Sequence, residues 1–206
     1  LLTFDDGFMS NRLLAEQVLE KFGIKAMFFI TEDFIELNQT EIFDFVQLAF
    51  YPKTSLADKE TTDFAPMDWD SVRWLRDHGH LIGAHTKSHR VLSNLRSNQE
   101  LNDEIIASAD RIEQKLDEKI NCFAFPFGSI DTVNSLAVKK AASRFDFVFS
   151  NIRGMAQESP NKKFLFRQNI SPDDPFWFVQ NVVEGRLDWK YRKERSVAFS
   201  NFYPHI

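Results

Sequence analysis

The chain is short of the residues that would make it anything other than an ordinary folded protein. It has a single cysteine, Cys122, so no internal disulfide can form and the redox compartment is left open. Glycine and proline number seven each, together about 7% of the residues against roughly 12% in average usage, which excludes collagen-like and low-complexity chains. No apolar run approaches the ~18 residues of a membrane-spanning helix, so no span is expected. Positive charge is in deficit, with 25 Lys and Arg against 30 Asp and Glu. A surface of that balance does not grip phosphates, and nucleic acid is not an expected partner. An initiating Met is also missing: the chain opens at Leu1-Leu2-Thr3-Phe4, part-way along a predicted strand, as a truncated N-terminus would. A leader upstream therefore stays open, and with it the compartment, the cytoplasm being favoured over the cell envelope or secretion. Nothing in the composition speaks to oligomeric state.

Apolar and aromatic residues are plentiful, with 43% hydrophobic and 22 Phe among 206 residues, enough material for a sizeable core. One domain over 1–206 is expected, since no repeat or Gly/Ser-rich linker interrupts it. Short β-type runs are predicted at 1–4, 26–30, 80–84, 121–125, 145–149 and 164–169. Helical patterns lie between them. Ser10-Asn11 precedes an apolar face of Leu13, Leu14, Val18, Leu19 and Phe22 that Gly23 stops. A helix over 68–78 ends at Gly79, Ser97–Glu100 reads as a capping box, and Asp174-Pro175 opens a late helix. The alternation predicts an α/β fold with a largely parallel sheet or barrel. Residues 33–66 fit it least well and are read as an insertion over the active-site face, holding a short helix at 41–50 and a polar stretch at 53–62. Residues 190–206 have no clear place.

Three segments fall at the carboxyl ends of predicted strands, the rim on which active sites assemble in parallel α/β proteins. They are Thr3-Phe4-Asp5-Asp6-Gly7, Gly83-Ala84-His85-Thr86-Lys87-Ser88-His89 and Phe123-Ala124-Phe125-Pro126-Phe127-Gly128. A carboxylate with two imidazoles is a common ligand set for Zn²⁺. His85 and His89 can share an ion if the chain makes one turn after its strand. Asp5 and Asp6 would face opposite ways in a regular strand, so both can serve one site only if the strand ends there, as Gly7 permits. One carboxylate could then hold the metal while the other takes a proton from water that the ion has acidified.

These three segments resemble the first three motifs of the polysaccharide deacetylases, the NodB-homology or carbohydrate esterase family 4 group, in its Phe-Ala-Tyr-Pro-Tyr-Gly branch. The resemblance is strong to about Gly128 and continues more weakly through Arg167-Gln168-Asn169-Ile170. It implies a distorted (β/α) barrel of about seven strands and a hydrolase that removes an N-linked acetyl group from an amino sugar of a polysaccharide or its precursor. A catalytically silent glycan- or protein-binding relative, and an amidase acting on a small non-sugar amide, are the rival readings. By the resemblance Asp5 is the general base, and Asp6, His85 and His89 hold one divalent ion, zinc ahead of cobalt, nickel or iron. The Phe127 N–H would donate to the oxyanion, while Pro126 and Phe125 would line the substrate groove.

The chain departs from the family pattern in two places. Ala124 stands where the commonest third motif carries an Arg, and Arg167 is the expected substitute partner of Asp5. No Leu-x-x-His supplies the general acid, and His205, the only late histidine, has the wrong surroundings. His78, His80 and Cys122 are expected to be structural. Trp74 and Trp177 are expected in the core, with Trp69 and Trp189 facing the groove.

Overall fold

The structure, a computed structural model, describes residues 1–52, 55–56, 64–171 and 173–206, the side chain of His205 excepted. Most of the polar stretch predicted at 53–62 lies outside the described residues. The chain forms two compact units, Leu1–Arg90 with Asp103–Ile120 and Val91–Asn102 with Asn121–Ile206.

In the first unit β1 (Leu2–Phe4), β2 (Ala26–Ile30) and β3 (Leu81–Ala84) run parallel, with β2 in the middle. Strand β2 reads Ala-Met-Phe-Phe-Ile and all five residues are buried. An unbroken apolar run in place of alternation is what a parallel strand covered on both faces requires. A helical run, α1 (9–22), leads from β1 to β2. After β2 come α2 (Glu32–Ile35), α3 (42–50) and α4 (Trp69–Asp77). The ends follow local chemistry: Gly23 closes α1 at φ +62°, and the Asp68 carboxylate caps α4 by accepting from the Ser71 N–H at 2.7 Å. Segment 33–66 carries its own apolar cluster of Phe34, Ile42, Val46, Phe50, Leu56 and Phe64, with Phe8 and Phe45 packed against it.

In the second unit β4 (Cys122–Ala124), β5 (Phe147–Arg153) and β6 (Leu165–Arg167) are parallel, with β5 central. The helical run α5 (98–116) starts in this unit, where the Ser97 hydroxyl accepts from the Gln99 and Glu100 N–H groups, and ends in the first. It is followed by α6 (Ser135–Arg144), α7 (Phe176–Val183) and α8 (Arg192–Asn201). The core is aromatic: Phe123 stacks on Phe145 with centroids 5.1 Å apart, and Phe164 packs against Phe202 at 4.9 Å. The unplaced tail thus acquires a role, since Phe202 is buried and the Tyr203 O–H donates to the Phe164 carbonyl at 2.6 Å.

Six strands are found among the described residues, at the six predicted places, and β5 runs on to Arg153. Asp174-Pro175 opens the late helix as expected, Pro175 being the N-cap of α7. Two expectations are corrected. The apolar face predicted on α1 is mostly at the surface: only Ala15 and Leu19 are buried, while Phe22 is 74% exposed. Trp177 is 63% exposed, because α7 turns only Val182 fully inward. Among the described residues no helix is long and apolar enough to cross a membrane.

Candidate active site

Strand β1 stops at Phe4, and the next two residues turn sharply: Asp6 has φ +78° and Gly7 φ +101°. The Gly7 N–H closes the turn on the Asp5 carbonyl at 3.1 Å. The backbone conformation at residue 7 demands glycine, while a Cβ there would meet only the movable tip of Ile35, Cδ1 at 2.9 Å. The turn breaks the strict alternation that would send adjacent carboxylates to opposite faces. Asp5 is half-buried, and its carbonyl also accepts from Asn11 Nδ2 at 3.2 Å.

The end of β2 ties this turn to the loop after β3. Thr31 N–H donates to the Asp6 carbonyl at 3.2 Å and His85 N–H to the Ile30 carbonyl at 2.9 Å. The Thr31 hydroxyl reaches the His85 carbonyl at 3.4 Å. Loop 85–89 is not the helical turn that the spacing suggested. Thr86 and His89 adopt φ of +67° and +57°, and the His89 N–H closes on the Thr86 hydroxyl at 3.0 Å. The two imidazoles still meet, with centroids 5.0 Å apart. Both Nε2 atoms stand 3.3 Å from Oδ1 of Asp6.

This donor set fits a divalent ion. One ligand atom from each of Asp6, His85 and His89 lies within 4.8 Å of the others, and both histidines are buried. The second nitrogen of His89 supports the fit: Nδ1 lies 2.9 Å from the Ala49 carbonyl. A carbonyl can only accept, so Nδ1 carries a hydrogen there, and Nε2 is the nitrogen on the Asp6 side that an ion would take. The Phe50 ring stands edge-on to His89, centroids 4.6 Å apart. Burial pushes the Asp6 carboxyl up, but hydrogen bonds and charge from His85 and His89 outweigh it and hold the group well below the usual carboxylate range. Tyr51 is 39% exposed, and its phenol is pushed up by burial and then by the charge of Asp6. The part of residues 49–51 at this site had no signature in the sequence, because a backbone carbonyl leaves none.

The loop is clamped from beneath. Glu32 N–H donates to the Thr86 carbonyl at 3.2 Å and Asp33 N–H to the Lys87 carbonyl at 2.8 Å, while Glu32 itself is held bidentately by Arg111. Burial pushes the Asp33 carboxyl up to about 6, with Lys87 pulling it down and Glu32 and Glu104 pushing it further up. Because that value lies above the unfolded one, the native state holds this proton more tightly. The resulting stabilisation is present at low pH and is lost as pH rises through about 6. Asp33→Asn is therefore expected to melt higher than the parent at about pH 7 and to show no gain at about pH 4, as thermal unfolding followed by circular dichroism would report.

In the second unit, Phe127 has φ +58° and Gly128 φ +51°. A Cβ on Gly128 would sit 2.5 Å from the Asn151 nitrogen, which explains the glycine. Phe125 is fully buried against Phe123 and Phe164, and Pro126 is buried too. Phe127, between them and Gly128, is half-exposed. Arg167 Nε donates to the Ser150 carbonyl at 2.8 Å.

The remaining candidates are scattered. The Trp69 indole N–H donates to Glu36 at 2.9 Å, and Lys115 lies over its ring. Trp189 is 67% exposed. Trp74 is half-buried between the Arg12 guanidinium and the His78 ring. His80 is buried and accepts from the Ala26 N–H at 3.2 Å. Cys122 is buried, its thiol pushed up to about 11 by burial. The side chain of His205 lies outside the described residues.

Parallel strands alternating with helices, with carboxylate and imidazole side chains gathered at the strand ends, define an α/β protein of the NodB-homology fold class. The polysaccharide deacetylase family profile matches residues 1–145, and the chain belongs to that family. No curated protein matches it. Solved structures similar to it include the deacetylase PplD of Streptococcus pyogenes in complex with acetate, with TM-score 0.66, 20% identity, and 88% of this chain and 69% of that one covered. A de-N-acetylase from Aggregatibacter actinomycetemcomitans has TM-score 0.66 and 16% identity, covering 88% and 74%. IcaB from Ammonifex degensii has TM-score 0.61 and 20% identity, covering 89% and 71%. At these identities the likeness is one of fold.

Proposed function

We propose that this chain is a metal-dependent hydrolase that releases acetate from an N-acetylated amino sugar of a polysaccharide or its precursor. The observation that carries the reading is the meeting of Asp6, His85 and His89, with ligand atoms within 4.8 Å of one another, one residue away from Asp5 in a chain of the polysaccharide deacetylase family. Asp6, His85 and His89 would hold the ion, and one carboxylate with two imidazoles suits zinc. When bound, the ion supplies positive charge and Lewis acidity to the amide under attack.

The protein's own groups do the rest. Asp5 takes a proton from the attacking water as the new C–O bond forms. The Phe127 N–H donates to the oxygen that gains charge. As the C–N bond breaks, the leaving amine takes up a proton, with Asp5 returning the one it took, water, or a further group as the alternative sources. Arg167 would keep Asp5 ionised between these steps, and Trp69 would offer its ring to a sugar; both assignments rest on position in the motif order. The chain from 1 to 206 acts in this reading as a single catalytic domain.

The zinc-loaded protein is expected to release acetate from N-acetylglucosamine oligomers. Chelation should bring the rate to background and added zinc should restore it, as a coupled acetate assay would show. A zinc-saturated protein that binds the oligomer yet releases no acetate would make it a silent glycan binder, and release from small amides alone would make it an amidase of the same fold.

A further inference from the structure

Loop 85–89 has two non-glycine residues, Thr86 and His89, in the left-handed region. Such a residue is strained and persists only where its surroundings hold it. The Glu32 and Asp33 N–H groups and the Thr31 hydroxyl hold the loop on one side. On the other side the contacts converge on one residue. Glu104 is only 4% exposed and sits in a widened turn of α5, within Asn102–Ala107. Its carbonyl accepts from the Lys87 N–H at 3.0 Å. Its carboxylate accepts from the Ser88 N–H at 3.0 Å through Oε2 and from the Ser88 hydroxyl at 2.6 Å through Oε1. Three donors from two consecutive residues thus end on one buried side chain and its own carbonyl.

Ser88 is the residue immediately before His89. Clamping its N–H and its hydroxyl fixes the Lys87–Ser88 peptide and the Ser88 side chain, one residue before His89, and so constrains the direction in which that ring points. A buried carboxylate is an expensive anchor unless it is fully hydrogen-bonded, and here its two oxygens each receive a donor from the metal loop. We infer that Glu104 is a positioning residue for the metal centre: it holds Lys87 and Ser88 so that His89 presents Nε2 beside Asp6 and His85. The inference rests on the metal reading of those three residues and adds a residue outside that ligand set.

The test uses zinc alone as the probe. The affinities of the parent, Glu104→Gln, Ser88→Ala and the double variant are measured by competition with a chromogenic chelator, well below the melting temperature of each. Outer residues that orient metal ligands typically change affinity about 10–100-fold, and a loss in that range is expected for Glu104→Gln. Ser88→Ala should lose affinity by a smaller factor, and the double variant should lose less than the product of the two factors, because both act through one contact. A merely structural role would lower the melting temperature and leave zinc affinity within about twofold of the parent; that result would overturn the inference. Should Glu104→Gln fail to fold, Ser88→Ala decides alone, unchanged affinity again overturning it. His85→Ala separates the two levels: if the parent binds zinc and His85→Ala does not, the metal reading stands and Glu104 is judged on its own. A parent that binds no zinc sinks both.

Discussion

Replacing Asp5 by Asn is expected to cut acetate release by about 10²–10⁴, the range of a lost general base, while zinc affinity and melting temperature stay near those of the parent. The structure gives reasons for so clean a separation. Two contacts that shape the turn at Asp5 use its carbonyl, which accepts from Gly7 and Asn11, and Asn retains that group. The side-chain donor set for the ion comes from Asp6, His85 and His89, and none of it changes. What disappears is a carboxylate able to accept a proton, because an amide cannot do so near neutral pH. The check is a rate on N-acetylglucosamine oligomers at zinc saturation, with affinity measured on the same samples. A variant that keeps the parental rate would remove Asp5 from the chemistry and leave the metal site without its base.

The largest loss of stability is expected from Phe34→Ala. Phe34 is fully buried, with ring centroids 5.0 Å from Phe8, 5.7 Å from Phe45 and 4.9 Å from Phe50. Emptying such a site costs about 3–5 kcal/mol through lost transfer energy and the cavity left behind. For a chain of this size that is a fall of about 6–20 °C in melting temperature. The effect should reach the candidate metal centre, because Phe50 packs on both Phe34 and His89 and the adjacent Ala49 carbonyl receives Nδ1 of His89. Zinc affinity is thus expected to fall with stability. Phe22→Ala serves as the control: that ring is 74% exposed, and surface changes of this kind usually stay within about 0.5 kcal/mol. Equal melting curves for Phe34→Ala and the parent would contradict the packing described for residues 34–50.

The strands were legible because burial on two faces imposes an unbroken apolar run, as at 26–30, and because Gly23 and Gly79 mark helix ends in a way that side-chain chemistry cannot disguise. The clustering of Asp6, His85 and His89 was legible from motif order and from the placement of each motif after a strand. Burial was harder to read. Leu13, Leu14, Val18 and Phe22 repeat at helical spacing, yet periodicity says which residues share a face and not whether another element covers it. Phe125 and Pro126 stand beside a half-exposed Phe127, and alternation over so short a stretch does not tell an interior ring from a groove wall. Nothing in the local sequence marks Glu104. Its partner Ser88 lies 16 residues away, and a contact of that kind is fixed by the path of the chain, for which no local pattern exists.

The left-handed backbone at Asp6, Thr86 and His89 also constrains how this protein can drift in evolution. Glycine would relax the conformation at all three positions, but at residues 6 and 89 it would delete a proposed metal ligand, so on that proposal relaxation there is closed. Position 86 has more latitude, though its hydroxyl receives the His89 N–H at 3.0 Å. Serine keeps that acceptor, and asparagine combines an acceptor with tolerance of the conformation. The segment between the two histidines is therefore narrowed to a short alphabet by geometry alone, before any selection on catalysis is considered.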